Sequence, residues 1–256
     1  MRREIILAED PFLEVSLLPL SIPGGQTSSR CAVILDPSDK KIEVSVVSRE
    51  YQLIPNLEVR NIALDILTRI GIPFQECRML FDGRRYSQRW TIEGFELEPR
   101  PGDFIRLGLE VHNSYDGTSL FSLSFIAERL ICGNGMVVDF LLGRFRFRHY
   151  GQNGDFHKEL DRALDTVQRL GEQGASLLPA MKRMVDTPIN RGLTQGVFRK
   201  LNTPRLYVAD IFLALEEDSE WGLYNACTRV FSEQRSFRGE VLNRQTSHYF
   251  FIERQR

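Results

Sequence analysis

The sequence predicts an α+β protein: a curved antiparallel sheet with long hairpins packed against helices, followed by a helical C-terminal third. Three observations lead there. Apolar residues alternate along the two strands within 104–127, they recur at three- and four-residue spacing over 59–70, and the period becomes helical from about residue 155. No tandem repeat, low-complexity tract or Gly/Ser linker interrupts the chain. The expected organisation is therefore an irregular segment over 1–35, which shows neither period, and a single α+β domain over 36–256.

Composition bounds the answer first. The 256 residues carry 33 Lys+Arg against 34 Asp+Glu, a net charge of -1, and 42% of them are hydrophobic. Such a chain can bury a core without disulfide staples, and disorder, collagen and coiled coil are excluded. No run approaches the roughly 18 apolar residues of a membrane span. The opening MRREIILAED places acids where a secretion signal is apolar, so a cytoplasmic location without membrane contact is expected. Cys31, Cys77, Cys132 and Cys227 form no CxxC pair and have no His at zinc-ligand spacing. Of the basic residues 28 are Arg and 5 are Lys; a GC-rich genome and selection for forked phosphate binding both account for that bias.

Along the chain, Ile42–Val47 alternates as a half-buried strand, with Ile42, Val44 and Val46 on one face. Val59, Ile62, Ala63, Ile66, Leu67 and Ile70 form one helical face, which Pro55 precedes and Gly71 with Pro73 stops. Asp82-Gly83 between two bulky runs over 78–92 marks a hairpin, closed by Pro99–Gly102. Next come Ile105, Leu107, Leu109 and Val111, the turn Asn113–Gly117, and Phe121, Leu123 and Phe125, a long antiparallel hairpin with one buried face. Phe156, Leu160, Ala163, Leu164, Val167 and Leu170 begin the helical part behind Asp155. Thr203-Pro204 starts a helix through Leu215, and Ser219 caps another through Phe231.

Two segments carry candidate chemistry. In Arg144-Phe145-Arg146-Phe147-Arg148-His149 strand alternation sends three guanidinium groups to one face and Phe145, Phe147 and His149 to the other, and no acid lies between Leu141 and Gly154. Such a ladder is either a solvated or internally paired charged face over a Phe-lined core or a contact for a phosphate backbone. On the 82–83 hairpin, Arg84, Arg85 and Arg89 with Tyr86 and Trp90 suit single strands, whose phosphates pair with Arg while bases stack on aromatics; Trp90 is equally a core residue. Arg199, Lys200 and Arg205 form a third acid-free cluster beside a helix start, most simply an exposed loop.

Enzymatic motifs are missing: there is no GxSxG elbow, P-loop, GxGxxG or HExxH. Glu110, His112 and Asp116 offer hard ligands for a divalent ion and metal-dependent phosphodiester hydrolysis. The plainer expectation is that Glu110 and His112 are exposed strand residues and Asp116 a turn residue. No enzymatic activity, cofactor or metal site is expected.

Asn113-Ser-Tyr-Asp-Gly-Thr118, Arg129-Leu-Ile-Cys-Gly-Asn-Gly135 and Arg146-Phe-Arg-His149, with the later Trp221-Gly-Leu-Tyr-Asn-Ala226, occur here in order. Together they resemble the phage/plasmid-like protein family, a domain of unknown function on mobile elements, over roughly residues 40–232. Where that family carries Thr after its Arg-x-Arg-His, this chain has Tyr150. At the level of fold alone, a helix, an antiparallel sheet and a long helix are similar to single-strand annealing recombination proteins. The two acid-poor Arg/aromatic segments, with this family context, lead to the expectation of a homo-oligomeric phage or plasmid protein that binds or anneals single-stranded DNA, with Arg144, Arg146, Arg148, Arg84, Arg85, Arg89 and Tyr86 on the nucleic acid. The alternative is a protein-interaction module acting on a host defence or replication complex, which the near-neutral charge favours.

Overall fold

The computed structural model of the chain describes residues 10–22, 26–36, 41–129, 134–136, 144–147, 162, 165, 166, 169–234 and 236–254. Much of the segment expected to be irregular folds as β1 (Glu14–Ile22) and β2 (Gln26–Asp36), which with β3 (Ile42–Ser48) make a three-stranded antiparallel sheet in sequence order. Its signal is hidden because Pro19 breaks the alternation and the β1–β2 register shifts between Pro19 and Ser21. Proline is tolerated there because β1 is an edge strand. A second register shift, where Glu43 and Ser45 flank Val44, resets the faces of β3. Val44 and Val47 are buried and Val46 is 41% exposed, in place of the single Ile42/Val44/Val46 face.

Helix α1 (Asn56–Ile70) follows the expected period: Val59, Ala63, Ile66 and Leu67 are buried. Its end is set by Gly71 at φ 68, a left-handed conformation that glycine adopts without Cβ strain.

The larger sheet comprises β4 (Phe74–Phe81), β5 (Arg85–Leu97), β6 (Ile105–Ser114), β7 (Phe121–Arg129), β8 (Asn134–Met136) and β9 (Arg144–Phe147). The order is β4-β5-β6-β7-β8, and β9 pairs with β7 as well. β9 takes positions 121–124 of β7 and β8 takes 127–129 of the same edge. The β4–β5 turn is held by Asp82, whose carboxylate accepts the Arg84 and Arg85 amides at 3.0 and 2.8 Å, with Gly83 at φ 83. One expectation is corrected in the β6–β7 hairpin: both its faces are buried. Ile105, Leu107, Leu109, Val111, Phe121, Leu123 and Phe125 enter the main core, while the polar face bearing Glu110, His112, Ser122 and Ser124 is also shut away from solvent.

The helical part contains α2 (Leu170–Ala175), α3 (Leu178–Asp186), α4 (Arg191–Lys200), α5 (Arg205–Leu213), α6 (Glu220–Glu233) and α7 (Phe237–His248), with a π-helical turn over Tyr249–Glu253. Side-chain caps fix three starts: Asn190 accepts from the Leu193 amide, Ser219 from Gly222 and Ser236 from Gly239. α5 begins one residue later than Thr203-Pro204 suggests, with Pro204 at the N-cap. Of the helix expected over 156–170, the apolar positions Phe156, Leu160, Ala163, Leu164 and Val167 lie outside the described residues. Among the described residues no helix is long and apolar enough to cross a membrane.

The small sheet is tied to the large one through the 113–118 turn. Tyr51 donates to the Ser114 carbonyl at 2.7 Å, Ser45 to the Tyr115 carbonyl at 2.5 Å, and the Asn56 amide to the Tyr115 hydroxyl at 2.9 Å. Tyr115 joins Val33, Leu35, Val44, Val47 and Tyr51 in a second, smaller core.

Candidate functional site

Antiparallel register lines up polar residues across the large sheet. Arg78, Arg89, Glu110, Ser124 and Arg144 form one cross-strand row from β4 to β9; Ser87, His112, Ser122 and Arg146 form the next. Both rows share one face because residues two apart on a strand point the same way. The alternate positions face the core, as Phe145 shows: it is 9% exposed and meets Phe125 edge-on at 6.4 Å.

The middle of this face is closed by α7. Glu240 accepts from the Ser87 hydroxyl at 3.2 Å, and Arg244 donates to Glu110 Oε2 at 3.2 Å. Under that cover Arg89, 1% exposed, donates from Nε to Oε1 of Glu110, which is fully buried, and its NH2 lies 3.7 Å from Glu240. His112 stands between the two carboxylates, with Nε2 2.7 Å from Glu110 and Nδ1 3.8 Å from Glu240. Burial raises the Glu110 carboxyl, but the charges of Arg89, His112 and Arg244 together outweigh it and hold the group well below the ordinary carboxylate range. The hydroxyls of Ser122 and Ser124 are buried beside this network, with no hydrogen-bond partner among the described residues.

This placement corrects two expected contacts. Arg89 and Tyr86 do not project from a hairpin tip. The 82–85 turn is short, so residue 86 is already inside the sheet: Tyr86 is fully buried and donates to Gln88. Arg89 is neutralised by Glu110. Glu110 and His112 are likewise interior rather than exposed, because α7, more than a hundred residues later in sequence, covers them. Trp90 is in the core and Asp116 serves its turn, accepting from the Thr118 amide and hydroxyl at 3.0 and 2.6 Å. Arg85 is exposed but engaged: it forks onto Asp82 at 2.9 and 2.7 Å, and its guanidinium sits 4.6 Å from the Phe237 ring centre.

Arg84 and Arg146 are different. Both are exposed, and the register neighbour of Arg146 on β7 is Ser122 rather than an acid. Arg144 occupies the equivalent register position opposite Ser124; Arg148 lies outside the described residues. Arg199, Lys200 and Arg205 are exposed where α4 ends and α5 begins, with Lys200 2.9 Å from Glu253.

A second buried network has no counterpart in the candidate chemistry read from the sequence. Asp103, 1% exposed, takes a forked pair from Arg129 at 2.6 and 3.0 Å and the Trp221 indole N–H at 2.8 Å; Arg100 lies 3.4 Å away. Burial raises this carboxyl, and the Arg129 and Trp221 hydrogen bonds with the Arg129 and Arg100 charges outweigh it, so its pKa is lowered. Two motifs behind the family resemblance thus meet on one carboxylate. A third, Asn113, donates to the Ile54 carbonyl and to Asn56, both at 2.9 Å. These residues hold elements together, and Arg100 and Arg129 also line a small pocket with Glu216, Glu217, Asn225 and Arg229. Among the described residues no three His, Cys, Asp or Glu side chains are grouped to hold a metal ion.

The fold and this face define an α+β protein with paired antiparallel sheets, a buried ionic network and an arginine-bearing edge strand. The chain belongs to the family described as Domain of unknown function (DUF932), whose model matches residues 43–249 and so includes both networks and β9. No curated protein and no solved structure matches it.

Proposed function

We propose that the protein binds the phosphate backbone of single-stranded DNA along the β9 edge of the large sheet, as a strand-binding or annealing protein of a phage or plasmid. The observation that carries this reading is the contrast between two arginines on the same sheet face. Arg89 meets a carboxylate across the strands and is spent, whereas Arg146 is exposed opposite a serine and keeps its charge for a partner. Among the described residues Arg146 has no ion-pair partner, and a guanidinium so placed on a short strand, flanked in sequence at i−2 and i+2 by Arg144 and Arg148, suits a repeating anion. Arg84, in the turn before β5 and three strands across the sheet from β9, adds a second exposed donor, with no ion-pair partner among the described residues. Arg89 and Tyr86 take no part.

Fluorescence anisotropy with a labelled single-stranded oligonucleotide at two salt concentrations tests this, with duplex as comparison. The expected result is single-strand preference with log affinity falling about 0.7 per log salt for each phosphate contacted. Arg146→Ala lowers affinity and flattens that slope by about one contact, and Arg84→Ala does so independently. Absence of binding at low salt overturns the reading and directs the search to protein partners.

A further inference from the structure

Between Asp186 and Asp210 the chain carries no acid, and that stretch holds four basic residues on α4 and at the start of α5. Lys200 is engaged by Glu253 at 2.9 Å. Arg191, Arg199 and Arg205 are exposed, and among the described residues none of them has an ion-pair partner. Arg229, Arg244 and Arg254, by contrast, all meet carboxylates in the same helical part. Helix electrostatics supplies no reason for two of the three. Arg191 and Arg205 are the first residues of α4 and α5, where the positive end of the helix dipole favours an acid, and neither helix has one in its first turn.

We propose that the exposed face of α4, continued by Arg205, is a second surface for a phosphate backbone, separate from β9, so that one copy holds two single strands. The ligand class rests on the nucleic-acid reading above; the position of the surface does not. Arg191 and Arg199 stand eight residues apart on α4, about 12 Å along its axis. Gly192 and Gln195, exposed between them, add neither a carboxylate nor an apolar anchor. Arg205 follows across the turn over 201–204, in which Asn202 takes a left-handed φ of 46. A protein partner would draw its affinity from aromatic or aliphatic anchors in desolvated pockets, which this face of α4 does not offer. A phosphate backbone needs only spaced cations, from which its counterions are released. Annealing brings two strands together, and the β9 edge accounts for one of them.

A stoichiometric titration of the full chain with a short labelled single-stranded oligonucleotide at low salt, read by anisotropy, tests it. The expected saturation is two strands per chain, falling to one in Arg199→Ala/Arg205→Ala, with the salt slope reduced by about 0.7 for each arginine removed. Both positions are in solvent, so the circular dichroism spectrum should be unchanged. Arg30→Ala/Arg49→Ala takes the same charge from exposed positions of the small sheet and should keep both strands. Arg84→Ala/Arg146→Ala should remove the other strand; if that variant alone still holds two, the β9 reading fails and the α4 surface stands. Saturation at one strand or none in the wild type, two strands in Arg199→Ala/Arg205→Ala, or an Arg30→Ala/Arg49→Ala variant as disruptive as it, overturns the proposal and leaves the α4 face to an acidic protein partner.

Discussion

Two arginines that look alike in sequence have opposite fates. Arg84 and Arg89 both belong to the acid-poor hairpin, but five residues place one in solvent and the other against the fully buried Glu110. A buried pair adds little over an apolar pair of the same shape, yet removing one partner strands the other's charge. Arg89→Met should therefore lower the unfolding free energy by about 3–5 kcal/mol in urea denaturation, while single-strand affinity per folded molecule stays unchanged. Loss of affinity without loss of stability would show instead that Arg89 reaches a ligand. Composition and spacing show where arginines cluster. They do not show which are neutralised, because Glu240 and Arg244, which complete the network, are brought in by the fold from a distant helix.

Local signals made the elements legible wherever one face alone decides the pattern. Helix α1 with its Gly71 stop, the Asp82-Gly83 turn and the core side of the β6–β7 hairpin all follow from period and turn chemistry. The β1 and β3 strands blurred because register shifts reset the alternation, and the second face of β6–β7 was misread because polar residues suggest solvent. Gly108, on that second face of β6, shows how tightly its strands meet. A Cβ there would lie 2.2 Å from the Trp90 carbonyl oxygen, a backbone atom of β5 that cannot swing aside. Gly108→Ala should cost about 1–3 kcal/mol, the range of an overpacked core, although alanine is otherwise the better residue for a strand interior. A variant as stable as the wild type in urea would mean that β5 and β6 separate more easily than this register implies.

Across the whole molecule, the two buried carboxylates link regions that are remote in sequence. Asp103 joins the approach to β6, the end of β7 and α6, and Glu110 joins β5, β6 and α7. Both have pKa values lowered by their cationic and N–H partners against the opposing effect of burial. A carboxyl whose folded pKa lies below its unfolded value contributes stability that is complete above the unfolded value, about 4. That contribution is lost as pH falls through the folded value, because the unfolded chain then binds more protons than the native one. The urea midpoint should therefore drop increasingly steeply below about pH 4, with the sheet and helical signals falling together because the same groups clamp both. Asp103→Asn removes one titrating clamp: it should lower the midpoint at neutral pH and make the acid decline shallower. An Asp103→Asn protein with the wild-type acid slope would show that this carboxylate titrates alike in the folded and unfolded chain, and that packing of Trp221 alone holds α6 to the sheet.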